Sequence, residues 1–159
     1  MSDPELNEYI RLYRSTVFRV AFNYVKNPED AEDISQEAFL KLYRTEQHFN
    51  SSENVKAWLI RVTINLSKNM LRSAWHRQRS ELTTDIPDKS GAADDLHDLH
   101  SAIQRLKPDY AGVLYLFYYE GYSVKETARL CGITGAAVRT RLSRARAMLK
   151  ELLSEEEEA

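Results

Sequence analysis

Residues 123–150 read SVKETARLCGITGAAVRTRLSRARAMLK, and this stretch predicts two helices joined by a tight turn. Ser123 and Glu126 can form a capping box, in which each side chain accepts a hydrogen bond from the other residue's backbone amide. Gly132 can adopt the left-handed conformation that ends a helix, and Thr134 can cap the helix that follows. This arrangement is typical of a helix-turn-helix.

The second helix of this pair has an apolar side and a side suited to a DNA groove. Its predicted inward residues are Val138, Leu142, Ala145, Leu149 and Leu152. A step of about 100° per residue places small side chains opposite them, with arginines beside, and no acidic residue occurs between Gly135 and Lys150. Small residues allow close approach to DNA, and arginine reaches phosphates and guanine edges, although a merely solvated basic helix is the alternative. The residues predicted to face duplex DNA are Ala136, Arg139, Thr140, Arg141, Ser143, Arg144 and Arg146.

The N-terminal part of the chain predicts three more helices. The apolar stripe of the first, at three- and four-residue spacing, comprises Leu6, Ile10, Tyr13, Val17, Ala21 and Tyr24. Asn27 and Pro28 suit the N-cap and first position of the second. Its stripe comprises Ala31, Ile34, Ala38 and Leu42. A polar loop over Thr45–Asn54 precedes a long helix from about Val55 to Arg79, with inward residues Val55, Leu59, Val62, Leu66 and Met70.

The middle of the chain changes in character and predicts a domain boundary. Residues 80–95 include Pro87, Gly91 and several acids, which is typical of a flexible linker. Helical spacing then resumes at Leu96, Leu99, Ile103 and Leu106, and another helix covers Val113 to Phe117 before Gly121. We therefore expect an all-α protein with two small helical domains, 1–79 and 96–154, joined by the linker 80–95. Residues 155–159 form an acidic tail that we expect to be frayed.

Composition limits the class of protein. Hydrophobic residues make up 43%, charged residues 29%, and the formal net charge is −2, as for a soluble globular chain. A single cysteine, Cys131, cannot form an internal disulfide and fits a reduced compartment. The N-terminus lacks the pattern of a signal peptide, and the longest apolar run, Ala111–Tyr119, is too short to cross a bilayer. We expect a cytoplasmic protein without membrane insertion.

The second helix predicts a contact with another protein. The side opposite its apolar stripe combines a leucine with acidic and amide side chains, which suits a protein contact with a polar rim. Single exposed leucines are common, so ordinary surface is an equal alternative. The residues of this face are Asp33, Gln36, Glu37 and Leu40.

The long third helix predicts a contact with single-stranded DNA. Its outer side mixes cations with aromatic rings and an amide, and separated strands are bound by charges along the backbone and by rings that stack on bases. These residues are Arg61, Lys68, Arg72 and Arg79, with Trp58, Asn65, Trp75 and His76 close by. Alternatively the tryptophans belong partly to the core, Trp58 more so than Trp75, and the charges only solvate the helix.

No pattern for catalysis or for a cofactor emerges. His97 and His100 are close in sequence, but no cysteine or further histidine follows at a metal-binding spacing, so a solvated helix start is the better interpretation. Cys131 is expected to be a small core residue. Phosphate-binding glycine loops, nucleophile elbows and zinc-protease motifs are missing. We expect no enzyme activity, no cofactor and no metal.

Several stretches, in order and correctly spaced, resemble one known family. Residues 30–43, DAEDISQEAFLKLY, and 57–65, AWLIRVTIN, followed by Arg72, resemble conserved region two of the extracytoplasmic-function sigma factors, group IV of the sigma-70 family. Residues 106–108, LKP, 118–123, YYEGYS, and 138–146, VRTRLSRAR, resemble region four of the same family.

The resemblance implies a role for each predicted face. In this family the first domain binds the clamp helices of the largest RNA polymerase subunit, here through Asp33, Gln36, Glu37 and Leu40. The loop before the long helix takes up a base flipped from the minus-ten element, and the helix meets the separated strand. The implied minus-ten residues are Phe49, Asn50, Ser51, Asn54, Trp58, Arg61, Asn65, Lys68 and Arg72.

The second domain is implied to read the minus-thirty-five element in the duplex and to meet the flap of the second-largest polymerase subunit. Family members commonly bind an anti-sigma factor that masks both DNA-binding domains. The implied function is promoter-specific transcription initiation in response to an envelope or environmental stress.

Two other function classes compete with this interpretation. A free-standing helix-turn-helix regulator would explain the second domain equally well, but it leaves the faces of the first domain unexplained. An adaptor that sequesters another protein would not require the arginines between Arg139 and Arg146.

Overall fold

The computed structural model describes the backbone of residues 1–81 and 95–158 and the side chains of residues 1–74, 99 and 101–155. Within these residues the chain is helical and has no strand, which confirms the predicted all-α class. The α-helices are α1 (Asp3–Val25), α2 (Pro28–Arg44), α3 (Ser52–Glu81), α4 (Asp95–Gln104), α5 (Pro108–Leu114), α6 (Val124–Cys131) and α7 (Gly135–Glu158). A π-helix (Tyr115–Tyr119) directly follows α5.

The chain forms two compact units, Met1–Arg72 and Ser73–Ala159, and two helical domains are what the sequence predicts. The boundaries 1–79 and 96–154 stay a prediction. Most of the predicted linker, residues 82–94, lies outside the described residues. Both of its edges are helical, because α3 continues to Glu81 and α4 already begins at Asp95.

In the first unit, α1 and α2 are joined by a short, well-capped connection. Lys26 ends α1 in the left-handed conformation, with a φ of 60°. Asn27 then caps α2 as predicted, since its Oδ1 accepts a hydrogen bond from the Asp30 amide at 2.9 Å. The predicted stripe of α2 is buried in full, and the buried core of the unit includes Tyr13, Val17, Ala38, Leu42 and Leu59.

The helix α3 differs from the prediction at its start. It begins at Ser52 rather than about Val55, so the predicted loop ends three residues early. The cause is local capping: the Ser51 hydroxyl accepts a hydrogen bond from the Asn54 amide at 3.2 Å. The phenol of Tyr13 in α1 also donates to the Ser52 carbonyl at 3.0 Å. Asn54 therefore lies in the first turn of a helix and not in a loop.

The buried side of α3 is also wider than the predicted stripe. Val55 and Leu59 are fully buried, whereas the other predicted inward residues, Val62, Leu66 and Met70, are half-buried. Fully buried residues that the apolar pattern missed are Ile60, Thr63, Ile64 and Ser67. The two hydroxyl residues can be buried because each donates to the carbonyl four residues earlier, Thr63 at 2.6 Å and Ser67 at 2.7 Å.

In the second unit the predicted helix-turn-helix is present. The capping box at the start of α6 is complete, with Ser123 and Glu126 exchanging hydrogen bonds of 2.9 and 3.0 Å. Gly132 is left-handed, with a φ of 68°, and the Thr134 hydroxyl accepts from the Ala137 amide at 3.0 Å. The helix α7 packs against α4, α5 and α6. Its inward residues Val138, Leu142 and Ala145 are buried, and Leu149 and Leu152 are half-buried.

Two features of this unit go beyond the predictions. The backbone of α7 is helical as far as Glu158, and the fraying of the acidic tail stays a prediction. Glutamate is a good helix former, and extending a formed helix costs far less than starting one. In addition, the helix predicted around Val113–Phe117 changes to a π-helix at Tyr115, where the Glu120 amide donates to the Tyr115 carbonyl at 3.0 Å.

Candidate nucleic-acid and polymerase interfaces

The predicted duplex-binding residues lie on the outer side of α7. Six of the seven are exposed, namely Ala136, Arg139, Thr140, Ser143, Arg144 and Arg146. The seventh, Arg141, is half-buried, because its side chain turns toward the first turn of α5. The outer face therefore combines small or hydroxyl side chains with cations, as groove binding requires.

Arg141 faces an acidic partner that the sequence did not indicate. Its Nη1 lies 3.9 Å from Oδ1 of Asp109. Both residues line an open cleft of about 440 Å³ between α5 and α7. The complete lining is Lys107, Asp109, Tyr110, Ala137, Thr140, Arg141 and Arg144. With three cations and one carboxylate, the cleft carries net positive charge beside the predicted base-reading residues.

Arg146, on the other flank of α7, also has a partner from an earlier helix. It donates a hydrogen bond to the phenol oxygen of Tyr118 in the π-helix. Its Cζ lies 5.7 Å from the centre of the Tyr118 ring, on the hydroxyl side. A helical projection of α7 alone could not reveal Tyr118 or Asp109, because both belong to other elements.

The predicted polymerase residues follow one side of α2. Asp33, Gln36 and Leu40 are exposed, and Glu37 is half-buried. Leu40 is 44% exposed, which is high for a large apolar side chain in a folded protein.

This side of α2 borders a shallow cleft of about 410 Å³ between α1 and α2. The cleft is mostly apolar, and its lining is Leu6, Ile10, Arg14, Glu32, Ser35, Gln36, Phe39 and Leu40. The contribution of α1 was missed, because its stripe was assigned wholly to the core although Leu6 and Ile10 are only half-buried. The apolar surface around Leu40 is therefore wider than the sequence indicated.

The predicted minus-ten residues fall in two places. Phe49, Asn50 and Ser51 precede α3, while Asn54 lies in its first turn. The rings of Phe49 and Trp58 meet edge to face, with centres 5.8 Å apart, and both pack against the core of the unit. Trp58 is therefore half-buried, in line with the alternative that makes it partly a core residue.

Farther along α3, the predicted cations and the amide form one stripe. Arg61, Asn65 and Arg72 are exposed, and Lys68 is half-buried. Arg72 donates to the side-chain oxygen of Asn69 at 3.1 Å, which orients its guanidinium along the helix surface. The side chains of Trp75, His76 and Arg79 lie outside the described residues.

Hydrogen bonds shift the pKa of a few exposed side chains. Hydrogen bonds from Ser123 lower the pKa of the Glu126 carboxyl, and the hydrogen bond to Asp3 raises the pKa of the Tyr43 phenol.

Among the described residues, no three histidine, cysteine, aspartate or glutamate side chains gather as metal ligands would. His97 and His100 have side chains outside that set. None of the described helices has the length and apolar character to span a membrane.

Comparisons with known proteins agree with the two-unit architecture. Residues 9–77 match the family Sigma-70 region 2, and residues 96–149 match the family Sigma-70, region 4. The ECF RNA polymerase sigma factor SigE of Mycolicibacterium smegmatis is 28% identical over 95% of this chain, which spans 62% of that protein's length. The RNA polymerase sigma-E factor of Streptomyces avermitilis is 31% identical over 94% of this chain and 85% of its own length.

A solved structure has the same fold. The sigma factor RpoE of Bartonella quintana, crystallised with the anti-sigma factor NepR, superimposes with a TM-score of 0.76. The likeness covers 94% of this chain and 97% of that one, at 24% identity. On the evidence of both family matches and of the streptomycete relative, the chain belongs to the sigma-70 family, and its similarity to ECF sigma factors such as SigE assigns it to the extracytoplasmic-function group.

Proposed function

We propose that this chain is a promoter-recognition subunit of RNA polymerase that starts transcription in response to an envelope or environmental stress. The observation that carries the proposal is the presence of two unlike exposed faces on one helical chain. An acidic face with a leucine lies on α2, and a face of arginines and small residues lies on α7. A free-standing regulator has no use for the first face, and an adaptor has no use for the second.

The proposed roles follow the chemistry of each face. Leu40 and its acidic neighbours bind the clamp helices of the largest polymerase subunit, with an apolar centre and a polar rim. Asn65 and the cations of α3 hold the separated minus-ten strand, while Phe49 to Asn54 receive a flipped base. Arg144, Ser143 and Thr140 read the minus-thirty-five duplex.

Three further parts of the proposal concern partners and place of action. The second domain meets the flap of the second-largest polymerase subunit. An anti-sigma factor masks the chain until the stress occurs, a proposal supported by the anti-sigma partner of the Bartonella quintana protein. The chain acts in the cytoplasm, where polymerase and promoters are, and needs no enzyme activity, cofactor or metal of its own.

The test is reconstitution with core RNA polymerase. The purified chain is expected to co-purify with core enzyme and to direct run-off transcription from a subset of fragments in a genomic library. Asn65→Ala should reduce open-complex formation on duplex templates, and a template melted in advance should restore part of that loss. Binding of operator duplex without any association with core enzyme would instead identify a free-standing regulator.

A further inference from the structure

The contact between Tyr118 and Arg146 joins the π-helix to the flank of the DNA-facing helix. Tyr118 is 54% exposed, and Arg146 is exposed as well, so neither side chain is held by burial in the core. The pair is instead held by the hydrogen bond that Arg146 donates to the phenol oxygen. An exposed arginine that is already hydrogen-bonded has lost part of its rotamer freedom before any DNA arrives.

The π-helix determines which way the ring points. A π turn contains one residue more than an α turn, so side chains within it point in other directions than they would in an uninterrupted α-helix. Within this short segment Tyr115 stacks on Tyr119, with ring centres 5.1 Å apart, and Phe117 meets the Tyr118 ring edge to face at 4.9 Å. Of these two contacts, only the one with Phe117 involves Tyr118, and it constrains the ring whose hydroxyl accepts a hydrogen bond from Arg146 in α7.

The two flanks of α7 differ in the charge of the partner. Arg141 lies beside the carboxylate of Asp109, which offsets its positive charge, whereas Arg146 lies beside a neutral phenol. A guanidinium has five N–H donors, so a hydrogen bond to Tyr118 leaves most of them for a second acceptor. Arg146 is therefore an oriented cation that keeps both its charge and its donors, as a phosphate ligand requires.

We propose that Tyr118 is a positioning residue, which orients Arg146 to bind a backbone phosphate of duplex DNA beside the face of α7. The proposal rests on the proposed function of α7 as the duplex-binding helix. Tyr118 does not touch DNA in this scheme; it lowers the entropic cost of ordering a long side chain when the phosphate binds.

The test is a double-mutant cycle on the full chain, with a short fluorescent duplex of mixed sequence titrated at several salt concentrations. Arg146→Gln should reduce the slope of log affinity against log salt by about 0.9, the value for one phosphate contact. Tyr118→Leu should weaken binding roughly twofold to tenfold with the slope unchanged, because the contact still forms but from a disordered side chain. In the Arg146→Gln background, Tyr118→Leu should have no further effect.

Two variants complete the design. Tyr118→Phe keeps the ring and removes the hydroxyl that accepts from Arg146, so it should lose as much affinity as Tyr118→Leu. Tyr119→Leu changes a tyrosine of the same π-helix that is 63% exposed, and it should leave DNA affinity unchanged. Thermal unfolding of each variant identifies any that fails to fold, in which case Tyr118→Phe supplies the comparison.

Each other outcome overturns the proposal. Equal losses from Tyr118→Leu with and without Arg146 would mean that Tyr118 acts on DNA or on the fold by itself. Tighter binding by Tyr118→Leu would mean that the ring withholds Arg146 from DNA. An unchanged salt slope in Arg146→Gln would remove Arg146 from the phosphate contacts. Failure of the wild-type chain to bind any duplex would overturn the proposed function too.

Discussion

The outward faces of α2 and α7 differ in charge and in what surrounds them. The first ten positions of α2, residues 28–37, carry five acidic residues, whereas residues 135–150 of α7 carry four arginines and a lysine with no acid. Beside the α2 face lies an apolar cleft, and beside the α7 face lie Asp109 and Tyr118, which contact arginines. A formal net charge of −2 conceals this separation.

The difference supports the proposal that one small chain recognises two chemically unlike partners. A protein surface is best bound by an apolar centre that excludes water, with charges at the rim. A nucleic acid is best bound by oriented cations, because its phosphates supply most of the affinity. The α2 face has the first arrangement and the α7 face the second, so substitutions should separate the two activities.

The largest expected effect is the loss of polymerase binding in Leu40→Arg. Leu40 is the apolar centre of the α2 face, and a central interface residue contributes about 2 kcal/mol or more. We expect the variant to compete poorly with wild type for core polymerase while it binds mixed-sequence duplex normally.

The matched control for this variant is Leu12→Arg. Leu12 and Leu40 are both 44% exposed, but Leu12 belongs to α1 and does not line the cleft beside the α2 face. Leu12→Arg should compete for core polymerase as well as wild type does. If Leu40→Arg also competes normally, the polymerase surface has been assigned to the wrong side of α2.

The next effect separates base reading from charge attraction on α7. Arg144 and Ser143 are exposed on the outer face, and a good base contact contributes about 1–3 kcal/mol of discrimination. Arg144→Ala or Ser143→Ala should therefore change which upstream promoter sequences are used. Arg146→Gln should weaken binding to all sequences alike, since a phosphate carries no sequence information.

The measurement is transcription from a promoter library randomised at the minus-thirty-five element, with each variant beside wild type. Identical sequence preferences for the three variants would reduce α7 to a basic anchor. The α7 face would then differ from the α2 face in charge alone.

Much of this organisation can be predicted from the sequence, because it depends on local signals. The capping residues Asn27, Ser123 and Gly132, and the buried stripes of α2 and α7, follow from hydrogen bonding and helical periodicity within one element. Such signals give the all-α class and the exposed side of each helix without knowledge of tertiary contacts.

The misses have two physical causes: a hydrogen bond within a helix that lets a polar residue be buried, and a partner or backbone geometry that side-chain type along one helix does not encode. Thr63 and Ser67 are polar and yet buried, because carbonyls of their own helix accept their hydroxyl protons. The roles of Asp109 and Tyr118 arise only once α5 and the π-helix lie beside α7.

A smaller effect concerns the stability of the two cores. Thr63 and Thr127 are both fully buried, but the Thr127 hydroxyl has no hydrogen-bond partner among the described residues. Removing an unsatisfied hydroxyl avoids its desolvation cost, so Thr127→Val should raise the free energy of unfolding by about 1 kcal/mol. Thr63→Val should give no such gain, because it removes a hydroxyl that donates to Leu59. Chemical denaturation of both variants measures the difference, and an equal gain at both sites would contradict it.

The smallest expected effect is a pH dependence at the start of α6, the helix against which α7 packs. Hydrogen bonds from Ser123 lower the pKa of Glu126 in the folded chain, so the ionised carboxylate favours folding. For a carboxyl whose pKa is depressed by folding, this stabilisation is complete above the unfolded pKa and is lost as pH falls through the folded pKa.

Glutamine can still accept the Ser123 amide proton but carries no charge. Glu126→Gln should therefore have a melting temperature slightly below that of wild type at neutral pH and equal to it in acid. Glu126→Ala, which also lacks the acceptor, should melt lower at every pH. If the gap between wild type and Glu126→Gln is constant with pH, the capping carboxylate does not contribute through its charge.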